Sequence, residues 1–184
     1  MRIEINHRCS DFNGYRANRV KSLFNAESGC NWSHVAELPF EGFDWKVGLI
    51  VGPSGSGKSS IGSRIFEGVD IYNLSGGWGD GPIIDEIAPE GLFNDATSAL
   101  SAVGLGDVPA WLRPFKVLSN GEQFRAGLAR LICDSPSRAV VDEFTSVVDR
   151  QIAKVGAAAF AKVWRPCLGK SYLQRILTPL NTAF

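Results

Sequence analysis

No charge of one sign dominates this chain: Lys+Arg and Asp+Glu each number 19. A balanced chain carries no global basic field, so nucleic acid is not indicated as a partner. Cysteine is sparse, and Cys9, Cys30, Cys133 and Cys167 stand far apart with no C-x-x-C pair. Scattered thiols of this kind fit structural burial in a reduced, cytoplasmic setting. No apolar run has the length of a membrane-spanning segment. Internal repeats and low-complexity tracts are missing too. The N-terminus, Met1-Arg2-Ile3-Glu4-Ile5-Asn6-His7, alternates apolar with polar residues, the pattern of a strand rather than of a signal peptide. What remains is ordinary: 45% hydrophobic and 21% charged residues over 184 positions, enough for one domain with a real core.

One stretch stands out against that background: Gly52-Pro53-Ser54-Gly55-Ser56-Gly57-Lys58-Ser59-Ser60. It fits G-x-x-x-x-G-K-[ST]. Glycines let the backbone curl so that successive N–H groups point at phosphate oxygens. The following helix N-terminus favours an anion. In such a loop Lys58 reaches the β- and γ-phosphates, and the Ser59 hydroxyl ligates Mg²⁺. Residues 47–51 have the composition of a buried strand entering the loop, and Ile61 and Ile65 are one turn apart on the helix leaving it.

Between Tyr15 and Trp32 the chain carries Arg16, Arg19, Lys21, Phe24 and Trp32. The two aromatics read first as core residues; the other reading is an aromatic stacked on adenine with a nearby Arg on phosphate. Residues 38–45 have the pattern of a strand and turn, and residues 69–74 of another strand. Glycines and Pro82 make residues 75–82 a loop. Ala96, Leu100 and Val103 share one helical face that Gly104 ends. A short helix is expected near Val108, with Trp111 and Leu112 inward.

Leu118-Ser119-Asn120-Gly121-Glu122-Gln123 has S-x-x-E spacing, a capping box ahead of a helix with Phe124, Leu128, Leu131 and Ile132 on one side. Ser119 and the amides of Asn120 and Gly121 therefore crown a second helix N-terminus. Further on, residues 139–143 form a short buried strand ending in Asp142 and Glu143. At the carboxyl end of a parallel strand those acids face the ligand crevice. Asp142 suits a hold on Mg²⁺, and Glu143 suits a base that polarises water. Asp149 caps a helix whose inner face is expected to be Ile152, Val155, Ala159 and Val163.

Together these three motifs resemble the ATP-binding cassette (ABC) ATPases. The phosphate loop comes first, then the signature-like residues 118–123, then the Walker B-like strand with Phe144-Thr145-Ser146-Val147-Val148-Asp149 behind it. The resemblance covers roughly residues 3–164. It implies a P-loop NTPase fold: an α/β domain over residues 1–184 with a parallel-sheet core and a small N-terminal antiparallel sheet. The helical subdomain is reduced to about residues 83–117, the signature helix spans 119–133, and residues 166–184 form an atypical, poorly packed tail. It also implies ATP and Mg²⁺ as cofactors, with Ser59 and Asp142 on the metal and Glu143 as catalytic base. The partners implied are a second copy of the chain, in an ATP-dependent head-to-tail homodimer, and an unidentified effector protein. In that dimer Ser119, Asn120, Gly121 and Glu122 close on the nucleotide of the other protomer.

Two family features have no counterpart. No glutamine lies between the phosphate-loop helix and the helical subdomain; residues 78–85 occupy that interval, so an Asp or a water is expected to serve Mg²⁺ there. The histidines are His7 and His34, both upstream of the place where the family carries its switch histidine. The tail is short for the remaining strands and helix of the fold. An ATPase is thus the first functional expectation, and an ATP-sensing binding module with little hydrolysis is the second.

Overall fold

The alternating N-terminal residues do form a strand. In the computed structural model, which describes residues 1–26, 31–38, 47–66, 68–144, 146, 148–167 and 175–177, strand β1 (Arg2–Arg8) pairs antiparallel with β2 (Asn31–Glu37). Arg2 stands opposite Glu37 and Arg8 opposite Asn31. The period of two puts Ile3 and Ile5 on one face, and both are buried. Helix α1 (Tyr15–Phe24) lies between the strands in sequence and buries none of its residues. Phe24 is 74% exposed and Trp32 is 40% exposed, so neither is a core residue. Trp32 instead packs its ring with those of His7 and His34, at centroid separations of 5.4 and 5.6 Å. These elements belong to a first unit, Met1–Phe43; the second unit is Asp44–Phe184. The strand and turn expected at 38–45 fall almost wholly outside the described residues.

The second unit is built on a three-stranded parallel sheet in the order β3-β5-β4, with β3 Gly48–Leu49, β4 Ala139–Val141 and β5 Arg175–Leu177. The central strand comes from the stretch expected to be loose tail. Helix α7 (Arg150–Cys167) likewise runs past Arg165. Residues 69–74 contribute less than a full strand. Ile71 bridges Val140 in parallel, and the Tyr72 N–H donates to Val140 O at 2.7 Å. Asn73 then ends the extended run by accepting the Ser75 N–H on its side chain at 3.0 Å.

Helix α2 (Lys58–Ile65) buries Ile61 and Ile65 and packs near β4. Residues 83–117 hold three short helices, α3 (Ile83–Glu86), α4 (Phe93–Ala102) and α5 (Val108–Trp111), followed by a 3-10 turn at Phe115–Val117. Ala96, Leu100 and Val103 of this region are buried, as their spacing predicts. Trp111 donates its indole N–H to Leu105 O at 2.7 Å, while Leu112 points outward at 69% exposure, contrary to its expected inward packing. Helix α6 (Asn120–Asp134) packs on α4 and α7 and fills the core with Phe124, Leu128 and Leu131. A Cβ at Gly127 would fall 2.6 Å from Leu74 O, so only glycine admits this approach of α6 to the chain beyond Ile71. The inner face of α7 is Ala153, Gly156, Phe160 and Trp164 with Ile152 partly covered; Val155 is 59% exposed, and the expected stripe was out of phase.

Candidate functional site

Parallel pairing decides which end of the sheet the motif residues leave, although none of residues 52–60 lines the cleft that holds Asp142 and Glu143. β3 and β4 both pair with β5 in parallel, so all three carboxyl ends leave one edge of the sheet. The glycine loop leaves β3 and the two acids leave β4, two strands away. Inter-strand spacing makes that separation about 10 Å at the sheet edge.

The loop curls as its glycines require. Gly55 and Gly57 adopt φ of 76° and 81°, left-handed values that other residues reach only with strain. Gly57 is the N-cap of α2 and offers no side-chain cap. The first amides of α2 therefore open toward the mouth of the loop. Lys58 folds back over that mouth, its ammonium donating to Gly52 O at 3.0 Å and Pro53 O at 2.8 Å. Ser59 is exposed beside it.

Asp142 and Glu143 follow β4 directly. Glu143 sits at φ 47°, an uncommon conformation for a non-glycine residue, and its N–H donates to the Asp142 carboxylate at 2.9 Å. Ser146 N–H donates to Glu143 O at 3.0 Å, closing a tight turn. Both acids line a cleft of ≈ 470 Å³ together with Asn73, Ser75, Phe124 and Ser146. Thr145, in the expected run behind the strand, is outside the described residues. Asp149 caps α7 as expected, accepting from Gln151 N and Ile152 N at 2.8 and 3.1 Å.

The signature-like motif makes a complete capping box. The Glu122 N–H donates to Ser119 Oγ at 3.4 Å; the Ser119 N–H and hydroxyl donate to the Glu122 carboxylate at 2.7 and 2.6 Å. These bonds, with Arg113 and Arg125 nearby, hold the Glu122 carboxyl below its usual range. Ser119 and Asn120 are exposed. The residues lining the cleft do not include them, although Phe124 of the same helix does line it.

The interval expected to supply an Asp to the metal is used otherwise. Asp80 pairs with Lys116 at 2.5 Å, the Glu86 carboxylate accepts from the Gly79 and Gly81 amides at 2.5 and 2.7 Å, and Trp78 stacks on Phe115. The polar side chains of this connection that line the cleft are Asn73 and Ser75, which lie upstream. Sequence reasoning did not place Asn73 in the cleft lining. The signal available was its position, the end of an apolar run that the Val140 register sets beside Asp142.

Two other titratable groups have raised ionisation, and one of them, Tyr72, also lines the cleft. Tyr72 donates its hydroxyl to Asp134 at 2.5 Å; burial, with that bond, pushes its ionisation well above the ordinary phenol value. Burial also pushes the Cys133 thiol up to about 11, which leaves it a poor nucleophile at neutral pH.

No family model matches the chain, and no curated protein matches it either. Among solved structures, the chain is similar to a bacterial Atm1-family ABC exporter with ATP bound. The TM-score is 0.56 at 20% identity, over 73% of this chain and 29% of that one. The chain thus spans less than a third of the length of that exporter chain, and the likeness bears on the fold: mixed helix and sheet of ABC-related form. Among the described residues no helix is long and apolar enough to cross a membrane.

Proposed function

We propose that this chain is an ATP-binding protein of the ABC ATPase type, which binds Mg-ATP and hydrolyses it to ADP and phosphate in a head-to-tail dimer. The observation that carries the reading is the parallel order β3-β5-β4, which brings the glycine loop and the Asp142–Glu143 pair to one sheet edge. Amides of residues 53–60 and the α2 N-terminus cradle the phosphates, and Lys58 exchanges its two carbonyl partners for the β- and γ-phosphates. The donor set suits Mg²⁺. Among the described residues no three His, Cys, Asp or Glu side chains gather as a cage. A hydroxyl at Ser59 and a carboxylate at Asp142 are the sparse oxygen ligands that a phosphate-borne, partly hydrated Mg²⁺ takes. The metal, when bound, neutralises charge on the phosphate oxygens. Glu143 accepts a proton from the attacking water. Ser119, Asn120 and Gly121, with Glu122 as their cap, present a second anion-binding helix start to the nucleotide of a partner copy.

The test begins with calorimetry. Lys58→Ala is expected to abolish tight ATP binding, because it removes the charge aimed at the terminal phosphates. Unchanged affinity contradicts the role. Initial ATPase rates with Mg²⁺ then separate two versions of the function. Tight binding without turnover supports an ATP-sensing module; turnover lost in Glu143→Gln supports the enzyme.

A further inference from the structure

Helix α1 is turned the wrong way round for a helix that serves a core. It buries none of its residues, and only Ala17 and Lys21 are half-covered. The polar side is the one tied down. Lys21 donates to the Asp11 carboxylate at 2.8 Å and to Phe12 O at 3.2 Å, and Asn18 donates to Asn13 O at 3.0 Å. At about 100° per residue, the half of the helix opposite Lys21 and Asn18 carries Tyr15, Val20, Leu23 and Phe24. These are 84, 52, 62 and 74% exposed. Arg16 and Arg19 fall in the same half and are exposed as well. The helix contains no Asp or Glu to offset them. An amphipathic helix ordinarily sets its apolar stripe against the core. This one presents aromatic and aliphatic side chains, interleaved with arginine, to the outside.

We propose that the outward half of α1 docks on an anionic lipid surface, with Val20, Leu23 and Phe24 in the acyl boundary and Arg16 and Arg19 among the headgroup phosphates. The inference goes beyond the ATP-site reading and does not depend on it. The mixture of side chains selects the partner. A nucleic acid would take the arginines but would gain nothing from Val20 and Leu23. A protein groove would have to pair arginines set between apolar side chains across a convex half-cylinder. A lipid boundary takes both at once, because arginine stems lie along the apolar layer while their guanidinium groups stay at headgroup depth. Tyr15, with a ring apolar at one end and polar at the other, suits the same depth. A helix of this length reaches only about 15 Å, so the contact lies on the surface and does not cross the bilayer.

Co-sedimentation of the full chain, without nucleotide, tests this. The vesicles are equal parts phosphatidylglycerol and phosphatidylcholine, against phosphatidylcholine alone. The parent should bind the anionic vesicles, leave the neutral ones, and let go as salt is raised. Arg16→Gln and Arg19→Gln should each weaken binding roughly fivefold. Leu23→Gln with Phe24→Gln should abolish it, and, since neither residue is buried, thermal unfolding should match the parent. No binding to anionic vesicles overturns the proposal, and so does binding that the Leu23 and Phe24 pair leaves unchanged. An oligonucleotide or poly-glutamate held in place of the vesicles overturns it in favour of those partners. Self-association of the parent that the same pair removes, with vesicles unbound, makes the face a contact between copies instead. A pair variant that unfolds well below the parent shows the face to be covered within the chain, and the proposal fails.

Discussion

The Arg130 guanidinium lies 4.8 Å from the centroid of the Trp78 ring while the same side chain donates to Gly77 O at 2.8 Å. One residue of α6 thus holds both an aromatic ring and a backbone carbonyl of the loop that follows Ile71. Trp78 in turn stacks on Phe115, with ring centroids 4.5 Å apart and planes within 8°. The loop bearing Asn73 is fastened to the helix that Ser119 caps.

That double contact makes a stability prediction. Arg130→Ala removes a cation–π contact and a charge-assisted hydrogen bond, together worth about 1–3 kcal/mol. Arg130→Lys keeps the charge but not the planar fork and should recover only part of the loss. Urea unfolding measures both. A change within about 0.5 kcal/mol for the alanine variant would show the clamp to be incidental.

The capping box makes a prediction about pH. Its hydrogen bonds from Ser119, helped by Arg113 and Arg125, lower the folded-state Glu122 ionisation. A depressed carboxyl contributes stability above its unfolded value, about pH 4.3, and loses it as pH falls through the folded value. Glu122→Gln keeps a cap but has no charge to titrate. Its stability deficit against the parent should therefore shrink as pH drops from about 6 to below about 4. Urea midpoints of the two proteins across that range measure it, and a deficit independent of pH would show that the carboxylate charge contributes nothing. Because Glu122 lies near the surface, the effect is small and further weakened by salt.

How far residues announced themselves follows from how local their physics is. The glycine loop was legible because each step of it, from the left-handed Gly55 and Gly57 to the uncapped α2, is written in consecutive residues. The Ser119–Glu122 box was legible for the same reason. The acids after β4 needed only a short apolar run. Strand β5 was not legible: three residues in a stretch punctuated by Gly169 and Pro179 gain strand structure from partners on both sides, not from their own pattern. In α7 two apolar stripes compete. Val155, Ala159 and Val163 make one, but Phe160 and Trp164 bury more surface and win the core. Phe24 and Trp32 failed in the opposite direction, since aromatic character alone does not place a residue inside. The place of Asn73 in the cleft lining was invisible because it follows from the bridge of Ile71 to Val140, which no local pattern encodes.

The proposed head-to-tail dimer makes the most demanding prediction. If Glu143 orients the water and Ser119 closes on the partner's nucleotide, the two residues act in one composite site but come from different copies. Glu143→Gln keeps size and hydrogen bonding and removes the base. It should leave ATP bound and accumulate an ATP-held dimer, because hydrolysis is the step that releases it. Ser119→Arg sets a bulky cation where the partner's phosphate must approach. It should leave monomer binding intact and abolish the dimer, at a cost of about 1 kcal/mol in stability from the lost cap. An equimolar mixture then decides between cis and trans. One of its composite sites joins Glu143 of the Ser119→Arg copy to Ser119 of the Glu143→Gln copy, and it should turn over although neither variant does alone. Light scattering and ATPase rates on each variant and on the mixture measure this. Dimerisation of Ser119→Arg with ATP at the parental level would remove Ser119 from the interface. A parent that stays monomeric in Mg-ATP yet binds it tightly would favour the ATP-sensing module, in which the capping box of α6 is a structural cap and nothing more.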